Sequence, residues 1–169
     1  QSLHTWVLHH HALVTPFKVV SLLGIPLWLG LAVGAGALYV FMRRRRRLAL
    51  FLVVTSIGGG LVDSAVKLAV NRPRPDLASP VATALGKSFP SGHAMSSTVT
   101  YGALLLVFLP AIPRRGRGAT IGATLLLLLA IGVSRLVLVV HFVSDVIGGW
   151  VVGGAWRAGA TAAFSIWPR

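Results

Sequence analysis

Residues 134–145 read SRLVLVVHFVSD and stand in the middle of an apolar run extending from about 119 to 164. As one helix, at about 1.5 Å per residue, that run would be near 70 Å long, more than twice the roughly 30 Å hydrocarbon core of a bilayer. The run therefore has to turn back. Arg117 before it and Arg157 near its end fall on the same side of a membrane only if the chain reverses between them. The polar-studded SRLVLVVHFVSD is where that reversal is expected, although neither Pro nor Gly marks it.

Three more apolar runs, about 19–42, 48–70 and 94–112, each reach the length of roughly 20 residues that a span requires. Of the 169 residues 55% are hydrophobic and only 11% charged, and the mean hydropathy is +0.80. An ordinary water-soluble domain is excluded by that balance. The expectation is an all-α, polytopic transmembrane helical bundle with five spans, forming one membrane-embedded domain over residues 1–169. Residues 1–18, which mix Trp6 and leucines with four histidines, suit a segment lying at the interface.

Sixteen Lys and Arg face three acids, Asp63, Asp76 and Asp145, for a formal charge of +13. Their placement argues against nucleic acid as a partner. Arg43 to Arg47 form one block between apolar runs, and Arg114, Arg115 and Arg117 another, as expected of cytoplasmic loops. Attraction to anionic membrane lipids accompanies that role. This orientation makes residues 71–93 an external loop. The chain has no cysteine, which excludes disulfides and thiolate metal sites. His9, His10 and His11 have no carboxylate or cysteine near them in sequence, and no metal site is assigned. The first residue is Gln1, without a signal-peptide pattern, so an upstream segment is expected to precede it.

With this topology three polar stretches meet at one depth: KLAVNRPRPD (67–76), SFPSGH (88–93) and SRLVLVVHFVSD. Ionisable side chains within apolar runs are expensive, which makes Lys67, Arg135 and Asp145 functional candidates. Lys67 could instead serve only as the partner of Asp63, four residues earlier on the same helical face. Lys67, Arg72, Arg74 and Arg135 form an excess of cation suited to an anion. Arginine offers phosphate a planar fork of donors, lysine adds a point charge, and the backbone of a turn completes a cradle. In PSGH, Gly92 allows close backbone approach and Ser91 offers a hydroxyl and an N–H, while also standing where a helix N-cap is expected. His141 and Asp145 are four positions apart, so a helix there would put them on one face, the carboxylate fixing the imidazole tautomer and leaving the other nitrogen nucleophilic. His93 is then the natural proton donor to a leaving oxygen. The glycine pairs Gly30/Gly34, Gly118/Gly122 and Gly149/Gly153 have the spacing that lets helices approach closely, within one chain or between chains.

At these residues the chain resembles the type 2 phosphatidic acid phosphatase family. Its signature is Lys, six residues, Arg-Pro; then Pro-Ser-Gly-His; then Ser-Arg, five residues, His, three residues, Asp. The matching positions are Lys67, Arg74 and Pro75; Pro90, Ser91, Gly92 and His93; and Ser134, Arg135, His141 and Asp145. The resemblance implies a metal-independent lipid phosphate or pyrophosphate phosphatase needing no cofactor. In it His141 attacks phosphorus to give a phosphohistidine, Asp145 orients His141, and His93 protonates the leaving group. Lys67, Arg74, Ser91, Gly92 and Arg135 would hold the phosphate oxygens. Membrane members commonly have six spans, one more than is counted here, and the resemblance implies an active site at the extracytoplasmic end of a bundle in the cytoplasmic membrane. Phosphatidate, phosphatidylglycerol phosphate and undecaprenyl pyrophosphate are candidate substrates. Arg72 lies outside the motif and is left out of the catalytic set.

Two other functions use the same residues. A phosphotransferase would pass the phosphoryl group to another acceptor, and a non-catalytic lipid-phosphate carrier would need only the cationic pocket. Soluble relatives act as haloperoxidases with vanadate in the phosphate site, a role the apolar runs argue against.

Overall fold

The computed structural model describes residues 11–74 and 86–166, most of them helical, with no strand among them. The helices are α1 (His11–Leu22), α2 (Pro26–Met42), α3 (Arg46–Val70), α4 (Gly92–Phe108), α5 (Arg114–Val137) and α6 (Val143–Ile166), with a 3-10 turn at Leu109–Ala111. Pro75 and Asp76, most of the interfacial segment and part of the expected loop 71–93 lie outside the described residues.

The run 19–42 is not one straight helix. Ile25 is extended (φ −75°, ψ 148°) and Pro26 opens α2, as the clash of a proline ring with the preceding residue requires. The axes on either side differ by 43°. The long run 119–164 does reverse inside SRLVLVVHFVSD, over residues 138–142. Val139 takes a left-handed conformation (φ 54°). Its N–H donates to Leu136 O at 2.9 Å and the Val140 N–H to Arg135 O at 3.2 Å, the paired bonds of a Schellman C-cap. The first helix pair closes the same way around Arg44 (φ 61°), and α3 ends on a left-handed Asn71. Three helices thus stop on residues other than glycine, each held by backbone bonds against a cost of about 1–2 kcal/mol for the conformation.

α4 is the central helix, packed against α2, α3 and α5 and most extensively against α6, while α1 lies on α5. The α4–α6 contact depends on two glycines. A Cβ on Gly149 would lie 2.8 Å from Ser91 O, and one on Gly153 2.8 Å from Met95 O. The other expected pairs, Gly30/Gly34 and Gly118/Gly122, meet no neighbour within 4 Å and do not mediate packing between these helices. The fully buried Leu52, Met95, Val99, Ile131 and Val146 fill the interior. Leu27, Leu61, Leu68, Leu125, Leu126 and Val151 point outward, the arrangement of a bundle whose surroundings are lipid.

α3, α4 with its 3-10 turn, and α5 are each long and apolar enough to cross a membrane, and the bent pair α1–α2 makes a fourth if counted as one. α6, with 24 residues including Asp145 and Arg157, is long enough to span at about 36 Å but more polar. The chain is an all-helical, multi-pass membrane bundle. Its connectivity brings the ends of α3 and α5 and the starts of α4 and α6 to one end, and the arginine blocks 43–47 and 114–117 to the other.

Candidate active site

The reversal between α5 and α6 presents His141, which is buried. α6 begins at Val143, so His141 and Asp145 do not share a helical face; His141 reaches Asp145 from the preceding turn. Its Nδ1 lies 3.5 Å from Asp145 Oδ2, and its Nε2 lies 3.1 Å from an Arg74 guanidinium nitrogen. A guanidinium can only donate, so Nε2 carries the lone pair and the ring proton belongs on Nδ1, toward the carboxylate. Burial, then the charges of Arg74 and Arg135, push the His141 pKa down from 6.5 to about 4, with Asp145 opposing them.

Asp145 is fully buried in the first turn of α6. Its Oδ2 accepts from the Phe142 N–H at 2.9 Å, the return bond of a capping box, in which a side chain at the third helical position holds the N-cap amide. The same oxygen accepts from the Ser88 hydroxyl. Oδ1 accepts from Arg72 at 3.0 Å.

Arg74 is held by the carbonyls of Gly86 (3.0 Å) and Val140 (2.9 Å). Partial burial lowers its pKa from the ordinary arginine value, and the Asp145 charge acts the other way. His93, in the first turn of α4, has Arg135, His141, Lys67 and Arg74 as its charged or titratable neighbours, which brings both motif histidines and three motif cations into one cluster. Lys67 is paired with Asp63, as its spacing allowed. Its ammonium also lies 2.9 Å from where a Cβ on Gly92 would stand, so it occupies the room that the glycine leaves.

Ser91 caps α4 without a side-chain bond, and its hydroxyl is buried with no hydrogen-bond partner. Its N–H, expected in the phosphate cradle, instead donates to Asp145 O at 2.9 Å and ties α4 to α6. Arg135 is 7% exposed; it donates to Ser21 Oγ at 2.5 Å, and its Nε is buried without a partner. Buried donors without protein partners are uncommon, and three of them, the Ser91 hydroxyl, Arg135 Nε and His141 Nδ1, lie on residues the motifs single out.

Four participants lie outside the set that the motifs name. Ser21 and Gly24, at the α1–α2 break, touch Arg135 and His93 respectively, contacts that follow from the bend. Ser88 stands two residues before Pro90 with no spacing to tie it to Asp145. Arg72 was set aside because RPRP offers two arginines and the motif takes the second. Among the described residues no three His, Cys, Asp or Glu side chains gather as metal ligands would.

The fold is similar to a crystal structure described as the first transmembrane PAP2 type phosphatidylglycerolphosphate phosphatase from Bacillus subtilis. The TM-score is 0.84 at 23% identity, covering 93% of this chain and 79% of that one. Among curated proteins, the chain is 33% identical over 124 residues to phosphatidylglycerophosphatase B of Bacillus subtilis (strain 168), a match covering 72% of this chain and 59% of that protein. It is 39% identical over 128 residues to decaprenylphosphoryl-5-phosphoribose phosphatase of Mycolicibacterium smegmatis (strain ATCC 700084 / mc(2)155), covering 72% and 62%. The chain thus spans about three fifths of the length of the curated relatives it matches. Residues 48–167, which include α4 to α6, all but the first two residues of α3 and every motif position, match the PAP2 superfamily, and the chain belongs to it.

Proposed function

We propose that this chain is a lipid phosphatase that hydrolyses a phosphate monoester or pyrophosphate on a membrane lipid through a phosphohistidine on His141. One observation carries the reading: the imidazole stands between a carboxylate at Nδ1 and a guanidinium at Nε2. That polarity directs the lone pair of Nε2 at the cation that would hold the phosphate.

Nε2 attacks phosphorus in line with the leaving oxygen. The N–P bond forms, the P–O bond to the lipid breaks, and the departing oxygen takes a proton from His93. Asp145 keeps the Nδ1 proton in place as positive charge builds on the ring. Lys67, Arg74, Arg135, the Ser91 hydroxyl and the helix N-terminus at Gly92 neutralise the phosphoryl oxygens, the main task in phosphoryl transfer. Water then attacks phosphorus, gives a proton back to His93, and releases inorganic phosphate from His141. None of these steps calls for a metal ion.

The names of the curated relatives, a phosphatidylglycerophosphatase and a polyprenyl-sugar phosphate phosphatase, support a lipid-borne phosphate as the substrate class. The arginine blocks at the opposite end support an orientation with the site on the extracytoplasmic face of the cytoplasmic membrane. All motif positions lie within residues 67–145, which supports one phosphatase domain for the chain.

The test is phosphate release in detergent with EDTA, from phosphatidylglycerol phosphate, phosphatidate and undecaprenyl pyrophosphate. Wild type releases phosphate from at least one of them without an added acceptor, and His141→Ala loses at least about a thousandfold in kcat, as removal of a covalent nucleophile does. Release that persists unchanged in His141→Ala contradicts the reading, and release only with an added acceptor alcohol makes the chain a phosphotransferase.

A further inference from the structure

The family motif takes Arg74 and passes over Arg72, yet Arg72 makes the more direct contact with the acid behind the proposed nucleophile. Its Nη1 donates to Asp145 Oδ1 at 3.0 Å and to Ser144 Oγ at 2.7 Å. The guanidinium carbon lies 4.4 Å from the centre of the Phe142 ring, within cation–π range. The Arg72 carbonyl accepts the Ser88 N–H at 2.9 Å, and the Ser88 hydroxyl donates to the other carboxylate oxygen of Asp145. Asp145 is fully buried, while Arg72 retains 35% side-chain exposure. From outside, one arginine therefore grips residues 142, 144 and 145, and through its carbonyl it also fixes the serine that holds the far side of the carboxylate.

We infer that Arg72 is a positioning residue for the phosphoryl-transfer step: together with Ser88 it fixes the Asp145 carboxylate, and through it the ring of His141. This rests on the proposed function and extends it to a residue pair that the motif does not include. Asp145 oxygens are divided between two tasks. Oδ1 is taken by Arg72, and Oδ2 is left for Ser88, the Phe142 amide and the His141 Nδ1 edge. Without Arg72 the carboxylate is free to turn about its last bond, and the imidazole loses its fixed aim. A misplacement of about 1 Å costs on the order of a hundredfold in rate.

Arg72 also shares the Asp145 charge. The groups facing His141 are Arg74 from the segment after α3, His93 from α4, Arg135 from α5 and Asp145 from α6, with Arg72 behind Asp145. Arg74 and Arg135 disfavour protonation of the ring, and Asp145 favours it. Removing Arg72 leaves the carboxylate's charge undivided toward His141, so the ring should protonate at higher pH.

The experiment compares full-length wild type, Arg72→Gln and Arg72→Lys in detergent micelles, with 15N-labelled histidine and His141 assigned by difference from His141→Ala. NMR titration reads the His141 tautomer and pKa without need of a substrate, and phosphate release reads kcat and KM. Arg72→Gln should raise the His141 pKa, weaken the preference for the Nδ1–H tautomer, and lower kcat about tenfold to a hundredfold with KM changing less than about threefold. Arg72→Lys keeps the charge but not the fork, so it should restore the titration while recovering only part of kcat. It also serves as the folded comparison should Arg72→Gln fail to fold. A His141 tautomer and titration unchanged in Arg72→Gln, or unchanged kcat in both variants, overturns the assignment. Should wild type itself release no phosphate, the proposed function fails, and the NMR titration still decides whether Arg72 governs His141.

Discussion

His141 sets the pH behaviour at the scale of a single residue. With its folded pKa near 4 and an ordinary value of 6.5, the ring is neutral throughout the range from pH 7 down to about 4. The acid limb of kcat/KM from this group should therefore fall well below pH 6.5, and a His141 limb at or above 6.5 in the wild type would contradict the buried, cation-flanked ring. The same shift acts on stability. Between about pH 6.5 and 4 the unfolded chain binds a proton at His141 that the folded chain does not, so this group's contribution is present above 6.5 and is lost as pH falls through that window. Gly92 gives a second prediction. A side chain there would displace the flexible end of Lys67 rather than backbone, so Gly92→Ala should leave the melting temperature within a few degrees of wild type. By moving a charge proposed to hold the phosphate, it should raise KM for the lipid phosphate about tenfold. A large fall in melting temperature with unchanged KM would show that the glycine serves the fold and not the site.

At the scale of the elements, the site depends on how closely α6 approaches α4. Gly149→Ala drives a methyl against backbone atoms of Ser91 and Met95, which cannot move without shifting a helix; the expected cost is about 1–3 kcal/mol. Activity should fall with it, because the Ser91 N–H to Asp145 O bond joins the same two helices. Gly122→Ala, on an open face of α5, should be neutral or stabilising by up to about 1 kcal/mol; thermal unfolding of the two variants side by side checks both. The glycine spacing in the sequence was the same for both, and only the partner helix tells them apart. Apolar run length was enough to place α3, α4 and α5, and the reversal, because a helix of 46 residues cannot fit a bilayer. The break at Gly24–Pro26 was missed, although Pro26 was there to mark it, since the run was read by hydropathy alone. The left-handed Val139 carried no signal at all: a β-branched residue is a poor choice for that conformation, and the local backbone bonds to Leu136 and Arg135, with Arg74 on the Val140 carbonyl, hold it there.

For the whole molecule, up-and-down connectivity brings residues 67, 91–93, 135, 141 and 145 to one end of the bundle, and the arginine blocks to the other. The motif residues could be named in advance because a phosphate needs cations and a nucleophile, and few other ionisable residues interrupt the apolar runs. Of their supports, Arg72 stood out only as one more cation of the pocket, and Ser21 and Ser88 not at all, since each acts through a contact between distant segments that no spacing encodes. The proposed mechanism turns on a covalent bond between phosphorus and His141. The most direct measurement is rapid acid-free quenching of the protein after mixing with lipid phosphate labelled with 32P, followed by peptide mapping. A phosphohistidine gives a transient label that is stable to alkali, lost in acid, carried by the peptide containing residue 141 and absent from His141→Ala. Phosphate release by wild type with no such label at any time, or with the label on another residue, would contradict it.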